Sequence, residues 1–172
     1  MSDIKNMRPV IEDVIGDVLE GDVLQNAVNL IAYLRENNMK PAWSATNAWK
    51  ISYKTYTVCF IRLHGAAEYH NLKAGSWHVI PFIGEYEDFA LSGELREIVW
   101  ANKKTCPQCG KCALKLHQVF GKEYDYVCEK SIVFTNPDAK SVECVKRLLE
   151  LRRNDIKEGK AKKHKYIPVK NR

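Results

Sequence analysis

No stretch of this sequence approaches the ~20 consecutive apolar residues that a membrane-spanning helix needs. A Gly-rich phosphate loop, a Gly-x-Ser-x-Gly nucleophile turn and a dinucleotide fingerprint are also missing, so several standard enzyme classes lose their usual support. Histidine is scarce, with five residues. No His-x-His or His-Glu-x-x-His spacing sets two imidazoles on one face, so a metal triad of His64, His70 and His78 is the minority reading. One histidine acting as acid or base with Glu85, Glu87 or Asp88 is an unspecific option. Repeats are absent, as is low-complexity sequence outside the basic end. The first residues, Met-Ser-Asp-Ile-Lys-Asn-Met-Arg, lack the apolar core of a secretory signal. The expectation is a reducing, cytoplasmic setting, in which cysteines are thiols or metal ligands before they are disulfides.

What is present is ordinary in bulk. The 172 residues are 45% hydrophobic and 28% charged, enough for one globular domain with a core that needs no disulfides. The net charge is +6, and its placement is uneven. From Arg152 onward nine basic residues face two acidic ones, a net of +7, which leaves −1 for the rest. A folded nucleic-acid binder usually spreads its cations over one face. A basic end is more often a solvated one, so residues 160–172 are expected to be a disordered tail and nucleic acid ranks behind other partners.

The six cysteines carry the most specific signal. Cys106-Pro-Gln-Cys109-Gly-Lys-Cys112 is a turn that aims thiolates at one centre, and Cys128 follows after fifteen residues. Four thiolates close a tetrahedral zinc site. Three clustered ligands and one remote one depart from the usual pair-plus-pair spacing. An iron–sulfur cluster, a redox pair of Cys106 and Cys109, and unliganded thiols therefore stay open behind zinc. His117 is the spare ligand. Cys59 and Cys144 sit in apolar patterns and read as small buried hydrophobes.

Periodicity places these residues on elements. Ile11, Val14, Ile15, Val18 and Leu19 recur at helical spacing, predicting a helix over about 9–19. Gly21-Asp22 offers a break and a new cap. Leu24, Ala27, Val28, Ile31 and Leu34 predict a second helix that Asn37-Asn38 and Pro41 end. Alternation then takes over. Trp49, Ile51 and Tyr53 mark a half-buried strand, residues 56–63 a strand covered on both faces, and 77–82 a third in which Pro81 signals an edge or exit. Ser92 predicts a cap for a helix burying Leu91, Leu95, Ile98 and Val99, with Trp100 on the far side. Residues 114–120 and 123–128 read as short strands around Gly121, and 132–134 as a short apolar run. Asn136-Pro137-Asp138 starts a long final helix, with Asn136 as N-cap and an apolar side of Val142, Val145, Leu148, Leu149 and Ile156.

Aromatics crowd the sheet-forming region. Core is their ordinary role, yet Trp49, Tyr53, Trp77 and His78 are the candidate lining of a ligand pocket. As a set, Tyr56-Thr57-Val58-Cys59, Ser76-Trp77, the cysteine turn, Phe120-Gly121-Lys122-Glu123-Tyr124 with Cys128, and Phe134-Thr135-Asn136-Pro137-Asp138 resemble an uncharacterised family of bacterial, clostridial-type proteins. The resemblance covers about the last two-thirds of the chain; it implies a bacterial cytosolic origin and carries no established activity.

These readings converge on a single α+β domain over 1–159. N-terminal helices and a long C-terminal helix surround an antiparallel sheet, with a cysteine module at 104–130. The expected function is a binding module for a small molecule or protein, stabilised by zinc on Cys106, Cys109, Cys112 and Cys128. The alternatives are nucleic-acid binding through the basic end, and a thiol-redox or other small-molecule enzyme. Whether the chain is an enzyme is open, and no membrane is involved.

Overall fold

Helix α1 spans Ile11–Val18 and α2 Gly21–Glu36. The first buries Ile11 and Ile15 and the second Ala27, Leu30, Ile31 and Leu34. Asp22 lies inside the first turn of α2 rather than capping it, because Gly21 itself opens the helix with a φ of 53°. Val28 corrects the expected stripe, being 43% exposed. Arg35 grips Glu12 with two parallel N–H···O bonds of 2.7 and 3.0 Å, locking α1 to α2. Asn38 then turns the chain in the left-handed region, where asparagine is tolerated.

This structure, a computed structural model, describes residues 8–64, 74–104 and 116–161, without the side chain of Tyr126. The expectations for Cys106, Cys109, Cys112, His70 and the tail beyond 161 lie outside the described residues.

A strand that the alternation did not predict comes next: β1, Lys40–Ala45. It then pairs in sequence with β2 (Ala48–Tyr53), β3 (Tyr56–Leu63), β4 (Trp77–Pro81) and the short β7 (Phe134–Thr135). The sheet order is β1-β2-β3-β4-β7, and every pairing is antiparallel. Pro41 sits on the edge strand, where its missing N–H costs no ladder bond. Pro81 pairs with Cys59 on one side and lies beyond the reach of β7 on the other, as an exit from the sheet requires. The two tight turns use Asn47 and Lys54 at positive φ. Asparagine suits that conformation; lysine takes it without a glycine.

Register separates the two faces. Trp49, Ile61 and Val79 are cross-strand neighbours, as are Leu63 with Trp77 and Val79 with Phe134. All six are buried at 1% exposure or less. This is the helix side, against which α2 and α4 (Ala139–Lys157) pack. Lys50, Phe60, Arg62, His78 and Thr135 belong to the opposite side.

Between β4 and β7 the chain makes an excursion. A 3-10 turn at Asp88–Ala90 leads to α3, Gly93–Ala101, capped by Ser92, whose Oγ accepts from the N–H of Leu95 at 3.4 Å. Only Val99 of α3 is fully buried; Leu95 and Ile98 are half-buried, a correction to the expected stripe. The hairpin of β5 (Leu116–Val119) and β6 (Lys122–Val127) turns through Phe120-Gly121, both at positive φ. A Cβ on Gly121 would meet Cβ of Asp88 at 3.0 Å, so the turn and the 3-10 segment meet closely there.

The N-cap of α4 is Asp138 and not Asn136. The Asp138 carboxylate accepts from the Ser141 N–H at 2.7 Å. Asn136 instead lies in the left-handed region (φ 45°) and serves the sheet: its Oδ1 accepts from the N–H of Trp77 at 2.9 Å and its own N–H donates to the Trp77 carbonyl at 3.0 Å. The buried side of α4 runs through Val142, Cys144, Val145, Leu148, Leu149, Arg152 and Ile156. Beyond Gly159, the N–H groups of Lys160 and Ala161 both donate to the Asp155 carbonyl. The last described residue is Ala161. The architecture is α+β, with four helices and a five-stranded antiparallel sheet among the described residues.

Candidate functional site

Cys128 directly follows β6 and is half-buried. Its carbonyl accepts from the N–H of Ser131 at 3.0 Å, and the Ser131 carbonyl in turn accepts from the N–H of Lys104 at 2.7 Å. Next to these, Lys103 bridges Ile132 and the Asn102 carbonyl accepts from Val133 at 2.9 Å. The chain leaving α3 is thus zipped alongside the segment that follows Cys128. On the other side Leu116 pairs with Val127, the neighbour of Cys128. Both described ends that flank residues 105–115 are therefore fastened beside Cys128.

His117, the spare ligand, stands on β5 with an exposed side chain, and its backbone N–H donates to Oε1 of Glu85 at 2.9 Å. Cys59 and Cys144 are fully buried. Burial raises both thiol pKa values, that of Cys144 to about 12. Such thiols stay protonated and unreactive, in line with their reading as small hydrophobes. Among the described residues no group of three or more His, Cys, Asp or Glu is arranged to hold a metal.

The four aromatic-site candidates fall on different surfaces. Trp49 and Trp77 share the helix side of the sheet and are fully packed. The Trp49 Nε1–H donates to the Pro9 carbonyl at 3.1 Å, while the Trp77 indole N–H has no acceptor among the described residues. His78 points to the other side, where Nδ1 lies 2.9 Å from Oγ1 of Thr135 on β7. Tyr53 is half-buried at the end of the β2–β3 hairpin. Of the histidines, His64 is anchored through its backbone: its N–H donates to the Ser76 carbonyl at 3.1 Å and its carbonyl accepts from Nδ2 of Asn47 at 2.7 Å.

Two clusters escaped the sequence analysis. Tyr86 stacks on Phe120 with ring centroids 5.6 Å apart. Burial, followed by the negative charge of Asp155, pushes its hydroxyl well above the ordinary phenol range. The second cluster lies along the seam of α3 and the β5–β6 hairpin. Arg96 lies over the Trp100 ring (5.9 Å), Lys122 over both Trp100 (5.3 Å) and Tyr124 (5.8 Å), and Lys103 over Tyr124 (4.7 Å). The Trp100 indole is fixed by donation to the Val119 carbonyl at 2.8 Å. The i,i+4 spacing of Arg96 and Trp100 was legible as one helix face; the partners from β6 were not. No family model, curated protein or solved structure matches the chain.

Proposed function

We propose that the chain is a non-membrane binding module, for a small molecule or a protein partner, whose hairpin is stabilised by zinc on Cys106, Cys109, Cys112 and Cys128. One observation supports this reading: Lys104 and Leu116, which bracket the three clustered cysteines, are hydrogen-bonded or paired within three residues of Cys128. Such anchoring limits how far the clustered thiols can lie from the fourth. Soft thiolate donors suit zinc, and four of them fill its tetrahedral shell. A closed shell leaves no position for substrate, so the ion would contribute folding free energy rather than chemistry. The described helices include none long and apolar enough to cross a membrane.

Metal analysis of protein purified under reducing conditions tests the reading. One zinc per chain is expected in the intact protein, with no visible absorption, and its loss in Cys128→Ser. A charge-transfer band with bound iron would replace zinc by a cluster. Metal-free, folded protein with a titratable low-pKa thiol would replace it by redox chemistry.

A further inference from the structure

The cation–aromatic row formed by α3, the following Lys103 and β6 carries charge that the rest of the described structure answers only at Arg96. Its members alternate as Arg96, Trp100, Lys122, Tyr124, Lys103, and each cation shares a ring with the next. Arg96 also meets a carboxylate, Asp88 Oδ2, at 3.0 Å. Among the described residues Lys103 and Lys122 form no ion pair. Lining up like charges in this way raises the energy of the isolated protein, and an anionic partner would relieve it.

We propose that this row binds the phosphate backbone of single-stranded nucleic acid. A lysine resting on a ring keeps its ammonium protons free on the solvent side. The ring also restricts where that ammonium goes, so less side-chain entropy is lost when a phosphate arrives. Trp100 and Tyr124 are both half-buried, so each keeps part of its surface open to solvent. Unpaired bases can use such rings as stacking surfaces, whereas a duplex hides its base faces and an acidic peptide has no flat group to offer them. The proposal goes beyond the small-molecule or protein partner of the module proposed above, and it does not depend on zinc.

The test is fluorescence anisotropy of a labelled oligo-uridine with the full chain, over a series of salt concentrations. Each phosphate contact to a single strand contributes about −0.7 to the slope of log K against log salt. Neutralising Lys103 and Lys122 together, as K103Q/K122Q, should flatten the slope by about 1.4 and weaken binding by about 25-fold near 0.1 M salt. The charge-conserving K103R/K122R should bind like the parent. Tyr124→Leu should weaken binding while leaving the slope unchanged, because it removes a stacking surface and no cation. Far-UV circular dichroism checks each fold, and Lys122→Gln alone, expected to flatten the slope by about 0.7, serves if the double variant fails it. Zinc is measured on the same samples; a variant that keeps its metal and loses RNA separates the two proposals. A parent that does not bind the oligonucleotide overturns the proposal. So does a double variant with the parent's slope, which would move binding to the basic end. Polyglutamate competing as well as RNA would assign the row to acidic peptides instead.

Discussion

Replacing Asn136 tests how the sheet is tied to the last helix. Its side-chain Oδ1 accepts the buried Trp77 N–H at 2.9 Å, standing in for a strand carbonyl at the point where β7 ends. Its φ of 45° puts it in a region that asparagine tolerates and alanine does not. Asn136→Ala therefore loses two contributions. Leaving a buried N–H unsatisfied costs about 1–3 kcal/mol, and the left-handed conformation costs an L-residue about 1 kcal/mol or more. The expected loss is about 2–4 kcal/mol, a large part of the stability of an ordinary domain. Asn136→Gly removes the acceptor but accommodates the backbone, so it should lose only about 1–3 kcal/mol. Asn136→Asp keeps an acceptor and should lie closest to the parent. Urea unfolding followed by tryptophan fluorescence measures the series. With a slope near 2 kcal/mol/M, alanine should lower the midpoint by roughly 1–2 M. An alanine variant within 0.5 kcal/mol of the parent, or one more stable than glycine, would refute the assignment of Asn136 to the sheet.

Asp138→Ala should cost about 1 kcal/mol by removing the cap of α4, whereas Asp138→Asn keeps an oxygen for the Ser141 N–H. The hydrogen bond from the Ser141 backbone holds the Asp138 carboxyl below its ordinary pKa. Its stabilisation is therefore complete above the unfolded value near 4 and fades as pH falls towards the lower folded value. Stability measured from about pH 6 to pH 2.5 should show this acid loss in the parent and less of it in Asp138→Asn; identical profiles would contradict the sign. Removing residues 162–172 should change stability by no more than about 0.5 kcal/mol. Removing Lys160 and Ala161 as well takes away two N–H donors to Asp155, and a larger loss in that second truncation is the expected calorimetric result.

The elements with a strong period were legible. Val142, Val145, Leu148, Leu149 and Ile156 recur on one side of α4 because a single stripe faces one sheet. Residues 56–63 read as a central strand because β2 and β4 flank it. β1 was not legible: it is an edge strand whose alternate residues are exposed, and Pro41 reads as a breaker when the pairing to Ile51 is unknown. Asn136 was misread for a related reason. Asn-Pro-Asp is a capping sequence in isolation, and only the presence of Trp77 across the sheet turns the first residue to other work. Trp49 and Trp77 share one face of the sheet, but composition does not say whether such a face meets helices or a ligand. Of the candidate metal ligands, only Cys128 is described, and the anchoring around it came from backbone pairing of Lys103 with Ile132 and of Leu116 with Val127, contacts that spacing does not encode. The cation–aromatic row escaped for the same reason: Lys122 and Tyr124 come from β6.

The excursion between β4 and β7 has a consequence for the order of assembly. β1 to β4 pair with their sequence neighbours, so this part of the sheet can form through short-range closures as soon as its strands are made. β7 cannot join until α3 and the whole β5–β6 hairpin have been synthesised, and α4, which covers the helix side, comes later still. Until then Ile61, Trp77 and Val79, on β3 and β4, lack the cover that α4 supplies. On the ribosome the nascent sheet therefore waits with an exposed apolar face, and the register set by Asn136 against Trp77 is among the last contacts available to close it. Mutations at that junction should slow productive folding and favour aggregation during synthesis out of proportion to their effect on the finished protein.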